Sequence, residues 1–159
     1  MSSEALLSSM DKLIKLHKSL FDLAVKKTNT VKEGDMDTLN QILKDEQSHI
    51  AAIDKIERER QQAALMIVTT VEIPTVTDCI NVLDNTEKDR LIEKANELTE
   101  MVFNLKEQNY LNQQLVYSSM QFVNFSLNLL RPQPESINYS SPANNTKKIN
   151  SQGMFNSKA

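Results

Sequence analysis

Apolar residues recur along this chain at alternating spacings of four and three, the repeat of one face of a helix. From about Ser3 to Lys32 the row is Leu6, Met10, Leu13, His17, Leu20, Ala24 and Val31, with Lys27 in the remaining slot and Ile14, Phe21 and Val25 widening it. Gly34 then supplies a helix stop and Asp35 an N-cap. A one-Gly, one-Asp link predicts a tight hairpin of antiparallel helices. A second helix is expected from about Met36 to Thr69, with Leu39, Ile42, Glu46, His49, Ile53, Ile56, Arg60, Ala63 and Ile67 on its seam. The β-branched run before Pro74 weakens it. Residues 70–85 read as a connector. Thr75 with Asp78 three residues on resembles a capping box and predicts a short helix around Val76–Leu83. Thr86 with Asp89 marks the start of a last helix reaching about Leu130. Its expected seam is Leu91, Ala95, Leu98, Val102, Leu105, Asn109, Asn112, Val116, Ser119, Val123, Ser126 and Leu130. Pro132 and Pro134 end it.

The second half of that last helix departs from the pattern. Gln108–Leu130 holds no Lys, Arg, Asp or Glu, although a quarter of the chain is charged. At ~100° per residue the side chains from Leu115 to Leu130 spread apolar groups over roughly 220° of the helix. One partner helix needs only a narrow stripe; a wider one implies a second partner. The segment is therefore expected to be a binding surface. The same excess would also suit internal packing against the first helix, or a homodimer. Asn109 and Asn112 carry two readings as well: polar residues that fix helix register inside the bundle, or amides offered to a partner's backbone.

Composition narrows the class. Of 159 residues only Gly34 and Gly153 are glycine, and there is no Trp. That disfavours strand-rich folds and excludes glycine-rich phosphate loops. The expected fold is all-α: an elongated antiparallel bundle or coiled coil of three long helices with a short connector helix. It divides into a helical domain, 1–130, and a flexible tail, 131–159, rich in Asn, Ser, Pro and Lys. Residues 1–130 carry 14 basic and 20 acidic side chains; the tail carries Arg131, Lys147, Lys148 and Lys158 against Glu135. The overall net charge of −3 leaves no basic footprint for nucleic acid. Cys79 is alone, which fits a reducing compartment. No signal peptide is expected, because no basic stretch followed by an apolar block opens the chain. The uncharged window is long enough to span a bilayer, but its eleven Asn, Gln or Ser residues would be costly in hydrocarbon. No membrane insertion is expected, and the cytoplasm is the expected location.

No catalytic constellation is apparent. His17 and His49 fall on different helices, and packed or partly exposed histidines suit them better than metal ligands. The serine pairs have no base at useful spacing. Glu57-Arg58-Glu59-Arg60 reads most simply as a solvated face with i,i+3 and i,i+4 ion pairs. Neither an enzyme activity nor a cofactor or metal is expected.

The order of these features resembles the FlgN-type flagellar export chaperones, particularly those of Gram-positive bacteria. The resemblance rests on Lys32-Glu33-Gly34-Asp35 between two long helices, on Leu39, Ile42-Leu43 and Glu46-Gln47 after it, and on Leu105, Asn109, Asn112 and Leu115 before a Phe- and Leu-rich helix end. A short tail with a Tyr, ending Phe-Asn-Ser-Lys-Ala, completes it. The resemblance implies a cytoplasmic chaperone that binds hook–filament junction proteins and delivers them to the flagellar type III export gate. It places cargo binding in the C-terminal part, here Leu115, Val116, Met120, Phe122, Val123, Phe125, Leu127, Leu129 and Leu130, to which the amide reading adds Asn109 and Asn112 as partner-binding candidates. It also makes Tyr139, within Asn138-Tyr139-Ser140, the candidate for docking on the gate. The alternative is a structural homodimeric coiled-coil adaptor with no export role.

Overall fold

A computed structural model of the protein describes residues 2–131. They form four helices: α1 (Ser2–Glu33), α2 (Met36–Ile67), α3 (Val76–Val82) and α4 (Asn85–Leu130), with no strand among the described residues. The rest of the tail lies outside the described residues, and with it Tyr139 and the Met154-Phe155 pair, the tail's expected anchors from the sequence.

The hairpin between α1 and α2 follows from two residues. Gly34 takes a positive φ of 72°, the left-handed conformation that L side chains resist. The Gly34 amide donates to Val31 O and the Asp35 amide to Thr30 O, the paired bonds of a Schellman turn. Asp35 then accepts from the Thr38 amide at 3.1 Å and caps α2. The chain reverses within two residues, and α1 and α2 pack antiparallel. Lys12 meets Glu59 at 3.1 Å and Lys27 meets Glu46 at 2.9 Å.

α2 stops at Ile67, two residues before the expected end. Val68 turns extended while its amide still reaches Ala64 O. The β-branched run disfavours another turn. The capping box of α3 is present: Thr75 accepts from the Asp78 amide, and Asp78 accepts from the Thr75 amide at 2.8 Å. α4 starts on a different cap from the expected Thr86. Asp84, extended after α3, accepts from the Glu87 amide at 3.0 Å. Asp84-x-x-Glu87 has the same spacing, and this start lets Glu87 accept from the Ser3 hydroxyl of α1.

α4 runs parallel to α1, because the connector carries the chain back to the start of α1. Ser3 pairs with Glu87, Asp11 with Lys94 at 2.6 Å, and Thr28 with Asn112. Among the described long helices, α1 and α2 are the antiparallel neighbours and α1 and α4 the parallel ones. α1 is the centre, flanked by α2 and α4, and those two do not pack on each other.

The core is concentrated at one end. Leu6, Leu7 and Met10 of α1 pack with Ala63, Ala64 and Val68, with Cys79 of α3, and with Leu91 of α4. The short α3 closes this base. Desolvation there pushes the Cys79 thiol above its ordinary pKa. Farther along, Leu20, Ala24 and Leu105 form a smaller cluster with Phe21, Leu23 and Ile53 around it. Each fully buried large side chain contributes roughly 1.5–3 kcal/mol. Val25, expected on the seam, is exposed.

Candidate partner-binding surface

The geometry of the far end follows from helix lengths. α1 has 32 residues and α4 has 46. They run in parallel with residue 28 level with residue 112. The end of α1 therefore falls beside about residue 117, and α4 projects beyond the hairpin by about thirteen residues, ~20 Å. That projection is the second half of the uncharged stretch, with Val116 at its root. Val116, Met120, Phe122, Val123, Phe125, Leu127, Leu129 and Leu130 are all exposed, Phe122 at 71% and Leu130 at 79%. Leu115, level with the end of α1, is half-buried. Val116, Met120 and Val123 border a hollow with Met36 and Leu39 at the start of α2 yet stay exposed, and Phe122, Phe125, Leu129 and Leu130 are each more than 60% exposed.

At ~100° per residue the projecting helix carries two apolar strips. Val116, Met120, Val123, Leu127 and Leu130 form one, and Phe122, Phe125 and Leu129 form the other, on nearly the opposite side. Asn124, Asn128 and Gln121 separate them on one flank, and Ser119 and Ser126 on the other. A solvent-facing helix end normally has charge on at least one face. This one instead has amides and hydroxyls, which tolerate burial in an interface better than an unpaired charge does.

The two asparagines separate. Asn109 is exposed. Asn112 is 3% exposed, and both ends of its amide are bonded inside the bundle. Nδ2 donates to Ala24 O at 2.8 Å, and Oδ1 accepts from the Thr28 hydroxyl at 2.5 Å. Gln108 donates to the same hydroxyl at 2.5 Å. Asn112 is thus turned to α1, its nitrogen and its oxygen each bonded inside the bundle, which is the arrangement of the register reading rather than of an amide offered to a partner. The expected seam of α4 also shifts by one residue at alternate positions. Met101, Gln108 and Leu115 are the half-buried ones, while Val102, Asn109 and Val116 are exposed. Both flanks of the row Leu91, Leu98, Leu105 and Asn112 repeat at heptad spacing in the sequence. Which flank meets α1 is decided by the packing.

Other candidate chemistry stays structural. His17 Nδ1 is bonded to Leu13 O, and His49 bridges Asp45 O and the Ser19 hydroxyl. Arg60 departs from the solvated-face reading. It pairs with Glu57 at 2.5 Å, but its Nη1 is buried with no hydrogen-bond partner among the described residues. The bond to Glu57 raises its pKa, against desolvation. Its seam position was legible in the 3–4 spacing of α2. Among the described residues no three His, Cys, Asp or Glu side chains group as metal ligands. No helix among them is long and apolar enough to cross a membrane.

A bundle closed at its base, with an uncharged apolar helix projecting from its tip, defines an all-α bundle protein whose longest helix ends in exposed apolar side chains. The chain belongs to the FlgN protein family, which matches residues 1–147. FlgN proteins are flagellar export chaperones, a chaperone family and not an enzyme family. The chain is also 31% identical over 160 residues to the uncharacterized protein YvyG of Bacillus subtilis (strain 168), with 100% of both chains covered. No solved structure matches.

Proposed function

We propose that the protein is a cytoplasmic chaperone for the hook–filament junction proteins, which it holds by the projecting end of α4 and delivers to the flagellar type III export gate. The observation that carries this reading is the overhang. On a member of the FlgN family, eight large apolar side chains between Val116 and Leu130 stand in solvent. A junction protein's terminal helix has an apolar stripe meant for the assembled structure and would self-associate when bare. The α4 end offers it a substitute. Several Leu and Phe side chains at ~1.5–3 kcal/mol each, before association costs, suffice for micromolar binding. Loading and release call for no nucleotide site. Exposed Asn109 joins this surface. Tyr139 is the proposed gate contact, on the grounds of its place in the tail sequence.

The test is binding of purified junction proteins to the full chain and to the variant Phe122→Asp/Val123→Asp, by calorimetry. Wild-type binding at micromolar or tighter affinity and a loss of at least ~tenfold in the variant are expected, since a buried unpaired carboxylate costs several kcal/mol. Both side chains are exposed, so circular dichroism should be unchanged. Equal binding by variant and wild type would remove this surface from the site. Truncation after Pro132 should leave that affinity unchanged and lower secretion of the junction proteins in cells. Tighter binding by the truncated chain would instead mean that the tail covers α4.

A further inference from the structure

The trough between α2 and α4 has the walls of a helix seat. On α2, Met36, Leu39, Leu43, Glu46 and Ile50 repeat at spacings of three and four, on a different row from Ile42 and Ile53. Met36 is 62% exposed and Ile50 53%. On α4, Asn109, Gln113, Val116, Met120 and Val123 repeat in the same way. α1 forms the floor. A row at heptad spacing presents sockets to a helix, whereas a strand would meet residues two apart.

Two hollows make up this trough. One of about 570 Å³ lies between Leu20, Ile50 and Val116, and one of about 510 Å³ lies between Met36, Leu39 and Val123. They share Val116 and Met120, so they form one continuous channel that leads onto the projecting helix. From Asn109 to Asn124 it is ~23 Å long, about four helical turns. Its polarity is graded. At the inner end lie Asn109, Gln113 and the Lys27–Glu46 pair, closed at 2.9 Å and mostly buried. At the outer end the walls are Met36, Leu39, Met120 and Val123.

We propose that this trough seats one amphipathic helix of the exported partner, completing a four-helix arrangement. The inference rests on the chaperone reading above and adds α2 to the binding site. The bound helix is about four turns long. Its apolar stripe lies toward the hairpin end, and neutral amide or hydroxyl side chains lie toward the inner end. Neutral groups fit there because Lys27 and Glu46 already satisfy each other, so a third charge would be desolvated without a counter-charge. A second copy docking antiparallel fits poorly. Its Leu127 and Leu130 would lie on Asn109 and the ion pair, and two bodies with an acidic excess repel.

The decisive variant is Met36→Asp/Ile50→Asp, with Leu65→Asp, exposed on the same helix outside the trough, as control. Calorimetry with a purified full-length junction protein should show binding weakened at least ~tenfold by the double variant and unchanged by the control, with unchanged thermal melting. If the double variant binds like wild type while Phe122→Asp/Phe125→Asp abolishes binding, the trough is overturned and the chaperone reading stands. If wild type binds no junction protein, the chaperone reading falls and the trough loses its partner with it. If the free chain is a dimer that Met36→Asp/Ile50→Asp dissociates, the trough belongs to a second copy and the proposal is overturned.

Discussion

Asn112 spends both ends of its amide on α1, and the neighbouring Thr28 hydroxyl is held by Gln108 as well. A buried polar group that is fully bonded costs little; one left without a partner costs about 1–3 kcal/mol. Asn112→Ala removes the donor to Ala24 O and the acceptor for Thr28 together. The expected loss is about 1–3 kcal/mol, read from the midpoint of urea unfolding, with helix content in water unchanged. An unchanged midpoint would show that the polar cluster adds nothing to the α1–α4 interface. Arg60 is the counterexample at the same scale. Its guanidinium is only partly satisfied by Glu57, so burial and pairing there work against each other.

The elements are bounded by local chemistry, and two of the caps respond to pH. The Asp35 carboxylate is held below its ordinary pKa by the Thr38 hydroxyl and then by the Thr38 amide. Asp78 is lowered by the Thr75 hydroxyl and then by the Thr75 amide. A carboxylate with a depressed folded-state pKa stabilises the fold above its unfolded value, and that contribution is lost as pH falls through the folded value. The hairpin and the start of α3 should therefore weaken on acidification below about pH 4. Thermal melts between pH 6 and pH 3 should fall less steeply for Asp35→Asn, which keeps a cap acceptor but cannot be protonated in this range. A wild-type slope in that variant would exclude Asp35 as a source of the acid sensitivity.

Across the whole molecule, stability is graded from the α3-closed base to the α4 tip. Leu6, Met10, Cys79 and Leu91 are fully or almost fully buried at the base, whereas the last thirteen or so residues of α4 bury no large side chain. An unsupported helix end of three to four turns is marginal in water. Amide hydrogen exchange should therefore be slow for Leu6–Met10 and Leu91–Leu98 and fast for about Ser118–Leu130. A bound junction protein should slow exchange in the second segment and along Met36–Ile50 of α2. Slow exchange of Ser118–Leu130 in the free monomer would show that the overhang is covered without a partner.

Much of this architecture is carried by local signals. Gly34-Asp35 specifies the hairpin, Thr75-x-x-Asp78 the connector helix, and the 3–4 spacing the three long helices. These signals act within a few residues, so they survive without knowledge of the fold. The uncharged apolar end of α4 was equally legible, because a missing charge needs no partner to be noticed. Three features belong to tertiary structure. The start of α4 had two near-equivalent caps, and packing against Ser3 accompanies the choice of Asp84. The flank of α4 that meets α1 was ambiguous, because Met101, Gln108 and Leu115 repeat as regularly as Val102, Asn109 and Val116. The projection itself arises from an offset between two parallel helices of unequal length, set by pairs such as Thr28 with Asn112 that lie 84 residues apart. A one-dimensional pattern records which faces are apolar. Only the register between distant helices decides which of those faces is left in water.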